Sequence, residues 1–210
     1  MNPNKTEIVV LVDRSGSMTE LVKDMEAGYA AFVKDQETVA GEAALTLVTF
    51  DTQGLDTIYE SAPLASARTF TLKPRGGTPL IDAVAMTIDK VGARLDKLPE
   101  AEKPASVFFM IITDGEENSS KHFKKTDVQE RIKRQTEQYN WHFIYLGANV
   151  DAFNEAASLG ISTYNAANYT PSAVGVRSAY EASSSTARSL REQGTAQGFT
   201  DDQRKSLVTP

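Results

Sequence analysis

Six consecutive apolar residues, Val107-Phe108-Phe109-Met110-Ile111-Ile112, run directly into Thr113-Asp114-Gly115. A short, β-branched and aromatic run stopped by a turn predicts a strand buried on both faces, and therefore one in the centre of a sheet. A second such run, residues 8–12, ends in Asp13-Arg14-Ser15-Gly16-Ser17. Strands of this kind need helices above and below them, which restricts the chain to an α/β layer architecture.

The rest of the sequence supplies those helices. Leu21, Val22, Met25, Tyr29, Phe32 and Val33 recur at helical spacing and predict a helix over 18–37. Residues 44–50 read as a strand. The turn formers Asp51, Thr52, Gln53 and Gly54 then return the chain as an antiparallel edge strand over 55–59. Residues 61–75, with Pro63 and Pro74, read as a connection. Gly76-Gly77-Thr78-Pro79 opens a second helix with Thr78 as N-cap, Pro79 at the first helical position, and a buried stripe of Leu80, Val84, Ile88, Val91 and Leu95. After a polar loop at 98–104 and the 107–112 strand come a helix over 126–138, a strand over 141–146, and a short helix over 151–159 stopped by Gly160. A last short strand is expected at 161–164. Thr170-Pro171 is expected to start a final helix reaching residue 191, with Ser183, Ser184, Ser185 and Thr186 thinning its apolar face. Residues 193–210 are polar and read as a flexible tail.

Six predicted strands alternating with helices imply an α/β, doubly wound, mostly parallel sheet with one antiparallel edge strand and helices on both faces. The expected organisation is one domain over 1–168, a helical extension over 169–192, and the tail.

Composition removes several functions. The net charge of −6, from 22 basic and 28 acidic residues, argues against nonspecific nucleic-acid binding, which needs a basic face. The absence of cysteine excludes disulfides, Cys-ligated zinc, iron–sulfur clusters and a thiol nucleophile. No segment approaches the ~18 uninterrupted apolar residues of a membrane span, and the first residues lack an apolar leader, so the expected location is cytoplasmic. His122 and His142 have no ligand neighbour at a characteristic spacing and read as structural; Trp141 reads as core.

What remains is a set of oxygens. Alternation in an extended loop turns Asp13, Ser15 and Ser17 one way and Arg14 the other. In doubly wound sheets ligands gather at the carboxyl ends of the strands, near the switch point, which is where the Asp13 and Asp114 loops both begin. Thr78 is the fifth candidate. Alone, each of these motifs is a turn or a cap; together, two carboxylates and three hydroxyls suit Mg²⁺ or Mn²⁺, with Ca²⁺ possible. Neutral hydroxyls would leave the ion residual positive charge, so an Asp or Glu from a partner protein would be an attractive last ligand. Arg14 and Arg75 are expected near the rim, Asp51 on the same side outside the shell, and Glu116 and Glu117 as exposed loop charges.

Asp13-Arg14-Ser15-Gly16-Ser17 matches the DxSxS motif of von Willebrand factor type A (VWA) domains. Gly77-Thr78-Pro79 resembles their threonine loop and Thr113-Asp114-Gly115 their aspartate loop. Over residues 7–161 the chain resembles this family with a complete metal-ion-dependent adhesion site (MIDAS), a resemblance that implies a Rossmann-like sheet with one antiparallel edge strand. Tyr145-Leu146-Gly147-Ala148-Asn149 is similar to a segment of small stand-alone bacterial and phage members. The resemblance implies metal ligation by Asp13, Ser15, Ser17, Thr78 and Asp114, the carboxylates acting directly or through water, and a binding module rather than an enzyme. One alternative is a structural component of a phage or secretion assembly whose metal only stiffens a loop. Another is a Mg²⁺-dependent phosphatase-like enzyme, although Ser15 occupies the place of the second carboxylate that a DxD site uses as acid/base. P-loop, dinucleotide and GxSxG signatures are absent.

Overall fold

The computed structural model describes residues 1–209. Its centre is β1 (Asn2–Asp13), paired in parallel with β2 (Glu42–Asp51) on one side and β4 (Pro104–Thr113) on the other. β3 (Gly54–Pro63) is antiparallel to β2, while β5 (Trp141–Gly147) and β6 (Ala166–Asn168) continue the parallel run. The order β3-β2-β1-β4-β5-β6 gives six strands, five parallel and one antiparallel at the edge, as the sequence pattern predicts. Successive connections leave β1 in opposite directions across the sheet, so the switch point lies between β1 and β4.

Alternation along β1 divides the core in two. Ile8, Val10 and Val12 face α1 (Val22–Gln36) and α5 (Ala173–Gln193), whereas Val9 and Leu11 face α2 (Leu80–Asp96), α3 (Lys125–Tyr139) and α4 (Ala152–Ser158). All five side chains are fully buried. At about 2 kcal/mol each, their burial contributes on the order of 10 kcal/mol, which is why the central strands dominate the sequence signal.

Four expectations change. The last strand is β6, not 161–164; that stretch holds a single 3-10 turn, Thr163–Asn165, with Tyr164 exposed. Ala166 and Ala167 pack closely against β5, but an Ala-Ala pair carries no strand periodicity. The N-cap of α5 is Ser172, whose hydroxyl accepts from Gly175 N at 3.2 Å, rather than Thr170. Ser183 and Ser184 of α5 are buried with their hydroxyls satisfied: Ser183 donates within the helix to Ala179 O at 2.7 Å and Ser184 across to Asp35 Oδ2 of α1 at 2.6 Å, while Ser185 is exposed. Small side chains let α5 press onto α1, where the Tyr180 ring fills the space that a Cβ at Gly28 would need.

Finally, the stretch expected as a tail contains α6 (Asp201–Val208). Thr200 and Gln203 form a capping box at its start, and Phe199 and Leu207 are buried. Thr170 N donates to Leu207 O at 2.9 Å, and Arg204 donates to the carbonyls of Thr163, Tyr164 and Ala166, so α6 lies along β6. Two anchoring side chains in a polar segment suffice for docking yet fall below what a periodicity count registers.

Candidate functional site

The five oxygen-bearing residues named from the sequence come from three loops at the carboxyl end of the sheet. Asp13 closes β1 and is fully buried. Its Oδ1 accepts from Ser15 N at 2.7 Å and its Oδ2 from Thr113 Oγ1 at 2.6 Å. Burial pushes its carboxyl up to about 6, against the pull of the Thr113 and Ser15 hydrogen bonds and with a smaller push from the Asp114 charge. Ser15 Oγ lies 3.0 Å from Ser17 Oγ, and Ser17 donates to Asp114 Oδ1 at 2.6 Å. Burial also raises the Asp114 carboxyl, opposed by the Ser17 hydrogen bond.

The third loop is fastened to the first by its backbone: Arg75 N donates to Arg14 O at 2.8 Å and Gly16 N to Gly76 O at 3.0 Å. Gly76 has φ 67°, a conformation that favours glycine and turns the chain into Thr78. Thr78 is buried, and a Cβ built on Gly115 would lie 3.4 Å from Thr78 Oγ1 and 3.8 Å from Ser17 Oγ. The Thr78, Ser17 and Asp114 loops therefore meet around Gly115. Tyr169 supports the Asp114 loop from below by donating to Thr113 O at 3.2 Å.

Thr78 is not the N-cap of α2. The helix starts at Leu80, Pro79 holds the cap position, and no side chain of the cap residue bonds to the helix. The free amides are taken instead by the loop after Asp114. Thr78 N donates to Asn118 Oδ1 at 2.9 Å, Ile81 N to Glu117 Oε2 at 2.8 Å, and Asp82 N to Ser120 Oγ at 3.0 Å. Asp82 returns the contact by accepting from Lys121 N, His122 N and Phe123 N at 2.7–3.0 Å. Glu117 is thus a structural acceptor and not the exposed loop charge expected; Glu116 is exposed.

Arg14 also departs from its expected place on the rim. It is buried and donates from Nε to Asp51 Oδ2 at 2.7 Å and from Nη1 to Asp56. Arg75, half-exposed, donates to the same Asp51 oxygen at 2.6 Å. Burial alone would raise the Asp51 carboxyl, but the Arg75 and Gln53 N hydrogen bonds and the two guanidinium charges hold it below the usual carboxylate range. The alternation that aims Asp13, Ser15 and Ser17 inward sends Arg14 toward β2, where Asp13 is in register with Phe50 and the next residue is Asp51. That register was the missing signal.

The histidines lie apart. His142 Nε2 sits 3.0 Å from Asn140 Oδ1 at the amino end of β5, and burial lowers its imidazole. His122 lends the loop its backbone amide. Among the described residues no cluster of three or more His, Cys, Asp or Glu is present, so any cation at this face would have to rely on hydroxyls as well as carboxylates. No helix among them is long and apolar enough to cross a membrane.

No family model matches the sequence, and no curated protein matches it. Solved structures do. Proximal thread matrix protein 1 (PTMP1) from the mussel byssus superposes with a TM-score of 0.68 at 14% identity, covering 88% of this chain and 48% of that one. A second PTMP1 structure, described as having a zinc-occupied MIDAS motif, gives 0.62 at 16% identity, with 89% and 47% covered. The chain thus spans about half the length of PTMP1. The vWF domain of the pilus tip protein Mfa5 from Porphyromonas gingivalis gives 0.61 at 13% identity, covering 94% of this chain and 98% of that domain. A von Willebrand factor type A protein from Catenulispora acidiphila gives 0.57 at 19% identity, with 87% and 42% covered. At these identities the likeness is one of architecture: the chain has the Rossmann-like fold of VWA domains.

Proposed function

We propose that this protein is a metal-dependent protein-binding module. In this reading Asp13, Ser15, Ser17, Thr78 and Asp114 hold a divalent cation, Mg²⁺ by donor chemistry with Mn²⁺ or Ca²⁺ as substitutes, and an Asp or Glu of a partner protein supplies a further ligand. The observation that carries it is the convergence of two buried carboxylates and three hydroxyls from three loops with no basic side chain, among the described residues, paired to either carboxylate. Buried charges are paired or coordinate metals; here the neighbouring Arg14 and Arg75 are spent on Asp51.

The spacings support the same reading. Bonds of about 2.1 Å in an octahedron put adjacent ligands about 3.0 Å apart; the Ser15–Ser17 and Ser17–Asp114 oxygen pairs are 3.0 and 2.6 Å apart. Both Asp13 oxygens already accept hydrogen bonds, which suits a role through bound water. The zinc-occupied PTMP1 motif supports metal binding on this fold by analogy. When bound, the cation would supply a positive charge at the mouth of the site, where Gly16 and Ser17 are exposed.

A binding role is favoured over catalysis because the Ser15 hydroxyl meets another hydroxyl and no histidine, and residue 15 lacks the carboxylate of a phosphatase DxD pair. The net charge of −6 favours a protein partner over nucleic acid.

Calorimetric titration with Mg²⁺ tests the site: saturable binding is expected for the wild type and its loss in Asp114→Ala. Absence of binding, or binding indifferent to the substitution, rejects the metal. Capture of partners from native lysate, with and without EDTA and in Asp13→Ala, tests the adhesion role. Partners retained by a metal-free Asp13→Ala protein would reduce the ion to a loop stiffener.

A further inference from the structure

We infer that Glu117, supported by Asn118, is a positioning residue that keeps the Thr78 hydroxyl available to the cation site by taking the backbone amide that hydroxyl would otherwise bind. The inference deepens the proposed metal site and rests on it. A threonine just before a helix ordinarily accepts from the third helical amide. With Thr78 as cap and Pro79 and Leu80 following, that amide would belong to Ile81. In the structure Ile81 N donates to Glu117 Oε2 instead, at 2.8 Å.

Glu117 is held firmly enough to compete. Its Oε1 accepts from Ser119 N at 2.8 Å and Ser120 N at 2.7 Å, and its Oε2 also accepts from Ser120 Oγ at 2.7 Å. Asn118 clamps the backbone of Thr78 from both sides, accepting from Thr78 N at 2.9 Å and donating its own N–H to Thr78 O at 3.2 Å. The three amides bound by Asp82 lock the far end of the same loop onto α2. Two ligand loops separated by 36 residues in sequence, at Thr78 and Asp114, are therefore braced to each other and not only to the sheet.

The brace has a specific consequence. Without Glu117, Ile81 N is an orphan at a helix start, and Thr78, three residues before it, is the threonine at capping spacing. The helix then keeps its cap and the metal site loses a donor.

Two double-mutant cycles with Glu117→Ala and Thr78→Ala decide the matter. In Mg²⁺ titrations, Glu117→Ala is expected to weaken binding about tenfold to hundredfold, the usual span for a residue that orients a ligand. It should have no additional effect in the Thr78→Ala background. Arg94→Met, far from the site, serves as a destabilised control that should leave Mg²⁺ affinity unchanged. In EDTA, hydrogen exchange of the Ile81 amide should stay slow in either single variant, where the other acceptor takes over, and become fast only in the double variant. Glu117→Gln keeps one acceptor oxygen and should fall between wild type and Glu117→Ala in Mg²⁺ affinity. If the wild type binds no Mg²⁺, the metal reading fails while the exchange cycle still decides the competition for Ile81. If the wild type binds Mg²⁺ but Glu117→Ala binds equally well, or if the effects of the two substitutions simply add, the positioning role is overturned.

Discussion

Thr113 Oγ1 donates to Asp13 Oδ2 at 2.6 Å, joining the last residue of β4 to the last residue of β1 across 100 positions of sequence. The bond lies at the switch point of the sheet and fixes one face of a fully buried carboxylate. Thr113→Val preserves shape and removes the donor. It should cost about 1–3 kcal/mol in urea denaturation under EDTA, the penalty for a buried polar group left short of a partner, and lower Mg²⁺ affinity about tenfold. An unaltered Mg²⁺ titration would show that Asp13 is held adequately without it.

Asp51 accepts from two arginines and a backbone amide while fully buried. Asp51→Asn leaves Arg14 buried with only Asp56 as a charged partner, and about 3 kcal/mol should be lost at neutral pH. The pH dependence has a definite sign. The folded value of Asp51 is depressed below its unfolded value of about 3.9, so its contribution is complete at neutral pH and is lost as pH falls through the folded value. Denaturation of both proteins across pH 7 to 3 should show the gap between them closing below about pH 4.

Glu7, fully buried at the opposite end of the sheet, accepts from Arg94 Nη2 at 2.6 Å, Thr46 Oγ1 at 2.6 Å and Ser61 Oγ at 3.1 Å. Arg94→Met strands that carboxylate and should destabilise by about 3 kcal/mol. Adding Glu7→Gln should recover part of the loss, which would be visible as coupling in a denaturation double-mutant cycle.

Leu207 anchors α6 in the core, fully buried. Leu207→Ala should cost about 3 kcal/mol and lower Tm by about 10 °C, with accelerated amide exchange at Thr170, whose N–H is held by Leu207 O. A melting temperature equal to wild type would mean that α6 contributes nothing to the cooperative unit.

The sequence made the centre of the fold legible because the central strands are apolar on both faces and α2 carries an unbroken stripe from Leu80 to Leu95. The cation-site candidates were legible for a related reason: Asp13, Ser15 and Ser17 follow one such strand at alternate positions, and Asp114 follows the other. Illegible were the roles that depend on backbone amides brought together only by folding. Glu117 and Asp82 are ordinary acids in sequence and become acceptors for amides 36–41 residues away. Arg14, expected on the rim, is buried because its partner is set by the β1–β2 register. The packing of α5 interleaves alanine and serine, residues whose value lies in how little space they take, with Val176, Tyr180 and Leu190.

The two margins of the sheet are finished differently. β6 has α6 beside it, with Arg204 reaching the Ala166 carbonyl, while β3 has β2 as its only strand neighbour among the described residues. Unpaired strand margins are where sheets of separate molecules join. A sheet open along one margin and closed along the other can be lengthened from one side only. At β6, α6 takes the place a further strand would need, so the helix that buries Phe199 and Leu207 also ends the sheet there.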